Sequence, residues 1–218
     1  MAGSLGTRPS RPRVRRGRPA WRPPAAPLLA SAIARPALTE PANVTARDDF
    51  GALPVLALDL ATRCGFALRT SRCIASGTAD FAERRNETRG DRLWRFQQWI
   101  AEFHSAQPLS MVAYEKVQGH MRGAAQTCYA QFEGVLLAWC AKRRVAVHAV
   151  NPKTLKRVIA GTGNADKAQM MAAVRAHGYT PADHNEADAL AVLIYATNRQ
   201  STNAGTRGMD DNGRTSIR

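Results

Sequence analysis

The sequence predicts an α/β domain built around a buried strand that ends in a carboxylate. Residues 55–60 form an apolar run bounded by Pro54 and by turn-forming residues, the pattern of a central strand covered on both faces. The chain then returns as a second strand, and helices alternate with strands further along. Asp59 interrupts the apolar run, and burying an ionised carboxylate is costly without a cation, a metal or strong donors. From this stretch alone, an Asp that caps the turn is an equally good interpretation.

Composition favours one domain with a substantial core plus tails, because 44% of the 218 residues are hydrophobic. The formal net charge of +14 indicates a polyanionic partner, since neutralised phosphates release counterions. Four cysteines, at positions 64, 73, 128 and 140, lack the spacing of a metal site, so we expect reduced thiols and a cytoplasmic location. No apolar run approaches the roughly 20 residues of a membrane-spanning helix, so no membrane association is expected.

Residues 1–50 are predicted to be a disordered Arg/Pro-rich tail. They hold nine arginines and three acids, and such sequence buries too little apolar surface to offset its chain entropy. A nucleic-acid-binding arm, a transit peptide and an extension without function are the alternatives. We favour the last, because several prolines interrupt the helix that a transit peptide needs. The folded domain is predicted to span residues 51–199, and the polar residues 200–218 to form a second disordered tail.

The elements of the domain follow from alternation and periodicity. Residues 72–81 alternate like a third, antiparallel strand. Residues 91–105 carry an apolar stripe at helical spacing. The remaining predicted elements are a strand at Met111–Glu115, a helix at 124–142, a strand at 145–150, a short helix that begins at Asn151 and Pro152, a helix at 166–177 and a last helix from Asp183. Helix capping alone would explain the acids in the first turn of the last helix.

A basic segment lies between the last predicted strand and the last helix. Its short helix has an apolar face, and a Gly-Thr-Gly break at residues 161–163 exposes backbone amides that suit a phosphate. A solvated charged face is the ordinary explanation of such residues. The lysines on both sides of the break favour phosphate contacts instead. The candidate DNA-contacting residues are Lys153, Lys156, Arg157 and Lys167.

Four features in order resemble the RuvC-type Holliday junction resolvases of the ribonuclease H-like superfamily. They are the strand with Asp59, the strand with Glu115, the basic segment at 152–167 and the Ala-Asp-Ala-Leu-Ala motif at 187–191. The resemblance covers about residues 55–198. It implies a ribonuclease H-like, five-stranded mixed sheet in the order 3-2-1-4-5 with helices on both faces. It also implies a cleft where acids from strand one, strand four and the last helix converge.

The resemblance further implies a Mg²⁺-dependent endonuclease that cuts branched DNA, above all four-way junctions, in recombination and repair. Two divalent ions would activate a water and stabilise the leaving oxyanion, and hard carboxylate oxygens suit Mg²⁺, with Mn²⁺ as a substitute. Asp59 would contact both ions, Glu115 one and Asp188 the other. A homodimer is expected, because cutting two opposed strands needs two sites related by a two-fold axis. Its contact would be the helix at 124–142, and a helicase is a further candidate partner.

The chain departs from the family three residues before the final Asp, where Asn185 replaces the usual Asp or His. On a helix, positions 184, 185 and 188 share one face, whereas 186 points nearly opposite. We nevertheless expect Glu186 as the fourth acid and metal ligand, because the backbone of a first turn is only half helical. His184 is the competing catalytic residue, as a general acid–base or a water-positioning group.

Three other functions are alternatives. A ribonuclease H-like nuclease could act on another substrate, such as precursors of ribosomal RNA. A noncatalytic junction-binding protein belongs to a different class, and the intact carboxylates argue against it. An actin-like ATPase fits least, because that fold pairs two such domains and this chain has room for one.

Overall fold

The structure is a computed structural model that describes residues 54–117 and 123–206, the last eight of them by their backbone alone. The predicted N-terminal tail at 1–50 lies outside the described residues, as does the end of the second tail from residue 207. Among the residues described, no helix is both long and apolar enough to cross a membrane.

Five strands form one mixed sheet in the order β3-β2-β1-β4-β5. The strands are β1 Val55–Asp59, β2 Arg63–Arg69, β3 Ile74–Asp80, β4 Met111–Glu115 and β5 Ala146–Val150. β2 pairs antiparallel with both β1 and β3, whereas β4 pairs in parallel with both β1 and β5. The predicted mixed sheet and its strand order are therefore confirmed.

Five helices follow from clear local signals in the described chain. They are α1 Arg89–Ala106, α2 Ala124–Arg143, α3 Pro152–Ala160, α4 Lys167–Ala176 and α5 His184–Thr206. Thr88 and Asp91 form a capping box at the start of α1, and the Asn151 side chain caps α3. The bounds predicted for α1, α2 and α4 agree within two residues.

The last helix is longer than predicted. α5 continues to Thr206, so the tail expected from residue 200 is helical over its first seven residues. The polar composition suggested disorder there. However, each residue added to an existing helix gains a backbone hydrogen bond, and no proline interrupts the chain between Thr197 and Thr206.

Side-chain alternation along the strands divides the core between the two faces of the sheet. Val55 and Ala57 of β1 and Ala113 of β4 pack in one buried cluster with α3, α4 and α5. Side chains of opposite parity point to the other face. There Phe66 of β2 packs against Trp99 of α1, with ring centroids 5.6 Å apart. Helices thus cover both faces, as predicted.

Candidate active site

The parallel neighbours β1 and β4 each end in an acid on the same face of the sheet. Asp59 follows Ala57 by two positions and Glu115 follows Ala113 by two, and both alanines pack in the cluster with α5. Because alternate residues share a face, both carboxylates lie on the α5 side. β1 and β4 are parallel neighbours, so their carboxyl ends lie side by side at the same end of the sheet. Asp188, in the first turns of α5, completes the group.

Burial affects the pKa values of Asp59, Glu115 and Asp188, and repulsion between the acids raises the first two, as expected for acids that lie close together. Burial, followed by the charges of Asp188 and Glu115, raises the pKa of Asp59 to about 7. Burial, followed by the charge of Asp188, raises the pKa of Glu115. Burial also raises the pKa of Asp188. The site therefore opposes the ionisation of its own acids, which a nearby cation would reverse.

Two of the predicted DNA-contacting lysines lie close enough to act on these acids. The charge of Lys167 lowers the pKa of Asp59, and that of Lys156 lowers the pKa of Glu115. Both lysines lower the pKa of Asp188, against the larger effect of burial. Lys153 and Arg157 are exposed on α3. The basic segment thus borders the acidic group.

Gly65 on β2 allows the first turn of α5 to reach the site. A Cβ atom at this position would overlap the backbone carbonyl of Asn185. Gly65 also pairs directly with Asp59 across the sheet. The missing side chain therefore lets α5 approach the strand next to Asp59. Sequence analysis did not identify the packing role of Gly65, because no local signal reports a contact 120 residues away along the chain.

His184 lies close enough to Asp188 for its charge to act on that acid. It is exposed, and its charge lowers the pKa of Asp188, which lies one turn later on the same face of α5. Its role in catalysis stays a prediction.

Glu186 does not join the three acids, which corrects the expectation that it is a ligand. Its residue is 8% exposed. One carboxylate oxygen accepts a hydrogen bond from the Ser76 hydroxyl at 2.6 Å, and the other accepts from the Ala182 amide at 2.7 Å. Helix geometry directs residue 186 away from the site, and the structure follows that geometry. β3 and the turn before α5 supply two donors for the buried carboxylate.

Asp183 anchors the start of α5, and its charge also raises the pKa of Asp59, less than the charges of Asp188 and Glu115 do. Its side chain accepts hydrogen bonds from the Glu186 amide at 2.9 Å, the Thr78 hydroxyl at 2.8 Å and the Arg63 guanidinium at 3.2 Å. Burial raises the pKa of Asp183, but these hydrogen bonds outweigh burial and leave the pKa below its usual range. Asp183 therefore stays ionised as the N-cap.

The carboxylates of Asp59, Glu115 and Asp188 suit divalent cations as ligands. Among the described residues, no three His, Cys, Asp or Glu side chains are arranged to hold one ion. Mg²⁺ does not require such a cage, because it keeps several waters and commonly binds one or two carboxylates together with substrate phosphates. The three mutually repelling carboxylates offer the hard oxygen donors that it prefers. The residues present therefore fit the metal that the sequence predicts.

The sheet and its helices define an α/β domain with a group of three carboxylates where β1 and β4 end. Comparison with known proteins identifies its family. The family model described as crossover junction endodeoxyribonuclease RuvC matches residues 56–196. Because this match covers well over half of the chain, the chain belongs to the RuvC family. The resemblance inferred from the sequence is confirmed.

Curated relatives carry the same description. A crossover junction endodeoxyribonuclease RuvC of Corynebacterium efficiens is 35% identical over 109 residues, which are 47% of this chain and 48% of that protein. One from Erythrobacter litoralis is 34% identical over 113 residues, which are 51% of this chain and 69% of that protein. The chain thus spans about half the length of the first of these relatives.

Solved structures confirm the fold. The structure of Thermus thermophilus RuvC matches with a TM-score of 0.57 and 21% identity, covering 69% of this chain and 97% of that one. The same Thermus protein in complex with a Holliday junction substrate matches with a TM-score of 0.57 and 20% identity, with the same coverage. The predicted ribonuclease H-like fold is therefore confirmed.

Proposed function

We propose that this protein is a Holliday junction resolvase, a metal-dependent endonuclease that cuts four-way DNA junctions in recombination and repair. The observation that carries the proposal is the convergence of Asp59, Glu115 and Asp188 at one edge of the sheet, beside Lys156 and Lys167. Membership of the RuvC family and the Thermus complex with a Holliday junction substrate support it.

The three carboxylates would hold two Mg²⁺ ions, which Mn²⁺ could replace. Asp59 is affected by the charges of both other acids, so it is the candidate to contact both ions, with Glu115 on one and Asp188 on the other. When bound, the ions supply an activated water and stabilise the leaving oxyanion of a phosphodiester. The carboxylates would place that reaction at the carboxyl ends of β1 and β4 and beside the first turns of α5.

The remaining site residues position the substrate and its protons. Lys156 and Lys167 would contact phosphates next to the reacting one, since each lies beside an acid of the site. His184 would hold or move a proton, or orient the water, beside Asp188. The Asn185 side chain can offer a neutral oxygen.

We also propose that the protein acts as a homodimer through α2. The exposed side of α2 carries small and apolar residues at helical spacing, and Leu137 among them is 41% exposed. This stripe consists of Ala130, Gly134, Leu137, Ala138 and Ala141. An exposed apolar stripe favours association, and a two-fold axis would present two sites to two opposed strands. A helicase remains a proposed further partner.

The decisive experiment is a nuclease assay on a synthetic four-way junction, a linear duplex and structured RNA, each with and without Mg²⁺. We expect cleavage of the junction alone, dependent on metal and lost in Asp188→Asn. Preferential cleavage of RNA would favour a nuclease for ribosomal RNA precursors. Tight junction binding without cleavage by the unaltered chain would favour a noncatalytic binding protein.

A second arm of the same assay tests His184. Replacement by Ala should lower the rate at saturating Mg²⁺ and change the dependence of the rate on pH, because a group that transfers a proton would be lost. An unchanged rate and pH profile would remove His184 from the reaction.

A further inference from the structure

A second basic surface lies on the segment that joins β3 to α1, here called the arginine loop and spanning residues 81–89. The Phe81 amide donates to the Thr62 carbonyl at 2.7 Å, within the turn that follows Asp59. Gly65 of β2 pairs with Asp59 of β1 on one side and with Thr78 of β3 on the other. The carboxyl end of β3 therefore lies at the same end of the sheet as the carboxyl end of β1. The arginine loop therefore begins at the acidic edge of the sheet.

The acids of the arginine loop are already paired. Glu83 lies 3.5 Å from Arg92, and Glu87 lies 3.0 Å from Arg95. In the part of the chain that the structure describes, the exposed Arg85 and Arg89 form no ion pair. The surface of the loop is therefore positive, although the loop contains two glutamates.

Arg95 holds the arginine loop in one conformation. Its guanidinium donates to the backbone carbonyls of Asp80 and Ala82, each at 2.9 Å, and to both oxygens of Glu87 at 3.1 and 3.0 Å. Glu87 also accepts from the Arg84 amide at 3.0 Å. Burial raises the pKa of Glu87, but the hydrogen bonds from Arg95 and Arg84 outweigh burial, so the pKa is lowered and Glu87 stays ionised.

The backbone of the loop is fixed as well. Asn86 has a φ of 70°, a left-handed conformation that Asn tolerates better than most residues, and it closes a turn in which the Glu87 amide donates to the Arg84 carbonyl. The capping box of Thr88 and Asp91 then starts α1. Little conformational entropy of the arginine loop would therefore be lost when a partner binds Arg85 and Arg89.

We propose that Arg85 and Arg89 contact DNA phosphates, so that the strand entering the site is held on both flanks of the carboxylates. This inference rests on the proposed function. In the sheet order, the arginine loop follows the edge strand β3, whereas the segment with Lys156 and Lys167 follows the opposite edge strand β5. Planar guanidinium groups suit phosphates because they bind two oxygens at once.

The width of the sheet sets the expected footprint. Strands lie about 4.8 Å apart, so β3 and β5 are about 19 Å apart. A DNA strand that rises about 3.4 Å per nucleotide crosses this width in about six nucleotides. Arg85 and Arg89 should therefore contact phosphates about two or three nucleotides from the reacting one, on the side away from Lys156.

The test compares two double variants of the full chain that each remove two positive charges. Arg85→Ala/Arg89→Ala alters the arginine loop. Arg72→Ala/Arg175→Ala alters two exposed residues away from the acids and from α2, one between β2 and β3 and one in the last turn of α4. Junction affinity is measured as a function of salt, and melting temperatures verify that both variants are folded.

We expect the loop variant to lose at least about tenfold in affinity near 0.1 M salt and to flatten the salt dependence by about 1.8. The control variant should change neither. A neutral methylphosphonate placed two or three nucleotides from the cleavage position should weaken the unaltered chain but not the loop variant. Equal salt slopes for the two variants would overturn the inference alone. Failure of the unaltered chain to bind any junction would overturn the proposed function, and this inference with it.

Discussion

The hydroxyl of Ser76 donates a hydrogen bond to the carboxylate of Glu186 at 2.6 Å, joining the edge strand β3 to the first turn of α5. Glu186 lies two positions before Asp188, and its second oxygen accepts from the Ala182 amide. The contact therefore fixes the turn that carries one of the three acids of the cleft. We therefore predict that Glu186 positions Asp188 rather than binding metal itself.

Ser76→Ala and Glu186→Gln should each raise the Mg²⁺ concentration needed for half-maximal cleavage several-fold, because each loosens the turn that carries Asp188. The rate at saturating Mg²⁺ should change less. Since both changes break one contact, the double variant should be no worse than the worse single one. Ser105→Ala, an exposed serine on α1, is the matched control. A normal metal requirement in Ser76→Ala, combined with a raised one in Glu186→Gln, would contradict positioning and restore Glu186 as a ligand.

Asp59→Asn and Glu115→Gln should abolish cleavage and leave junction binding intact, since each removes a carboxylate charge with almost no change in volume. Binding without metal should improve slightly, because repulsion between the acids and the phosphates decreases. Single-turnover cleavage and a binding assay in chelator measure the two effects. A rate above roughly a tenth of the unaltered one, a barrier change under about 1.4 kcal/mol, would remove that residue from the proposed metal site.

The raised pKa of Asp59 makes the metal-free protein less stable as the pH rises. An unfolded Asp titrates near 3.8, whereas in the folded chain the pKa of Asp59 is about 7. Between these values the folded state binds the extra proton, so this contribution to stability is largest below about pH 4 and is lost as the pH rises to about 7. Asp59→Asn should therefore raise the melting temperature in chelator at pH 8 by about 5 °C and have little effect in acid.

Mg²⁺ provides the control for this pH effect. At pH 8 it should raise the melting temperature of the unaltered chain more than that of Asp59→Asn, because the charge that it would neutralise is absent from the variant. Equal melting temperatures of the two proteins at pH 8 in chelator would contradict the assignment of a strained charge to Asp59.

Lys156→Ala and Lys167→Ala should weaken DNA binding for all sequences and flatten its salt dependence by about one charge each. Both lysines also lower the pKa of Asp188, so their loss should shift the rise of the cleavage rate to higher pH. Arg175→Ala, an exposed residue in the last turn of α4, removes the same charge away from the acids and serves as the control. An unchanged salt slope in the two lysine variants would leave them as ordinary surface residues.

Gly134→Gln tests the proposed dimer contact on α2. A Cβ at Gly134 meets no atom within 4 Å, so the substitution has room within one protomer, and it should raise helix stability by up to about 1 kcal/mol. The longer side chain should instead obstruct a second copy packed on α2. Sedimentation at micromolar concentration should show dimers of the unaltered chain and monomers of the variant. Monomers of the unaltered chain that still cut junctions symmetrically would contradict the contact.

Local patterns were sufficient to predict the sheet and the acids at its edge. An apolar strand that ends in an acid is visible in the sequence both at Asp59 and at Glu115, and each ends a strand in the structure. Strand order required the family resemblance, because the pairing of β1 with β4 joins residues more than fifty positions apart. The Asn151-Pro152 capping signal gave the start of α3, which is also a local pattern.

Contacts between distant elements could not be predicted. The direction of Glu186 depends on Ser76, 110 residues earlier, and the need for Gly65 depends on how closely α5 approaches β2. The arginine loop likewise gives no sequence signal, since its acids are neutralised by Arg92 and Arg95 only once α1 has formed. Sequence spacing on α5 did indicate that residue 186 faces away from residue 188, and the structure follows that geometry.

The chain order of the three acids has a consequence for synthesis. Asp59 and Glu115 belong to the first half of the described domain, whereas Asp188 lies on the last helix, which packs across β1 and β2 only after nearly the whole chain has emerged from the ribosome. A nascent or prematurely terminated copy holds two of the acids without the third. Such an incomplete copy cannot assemble the group of three acids on which the proposed nuclease activity depends.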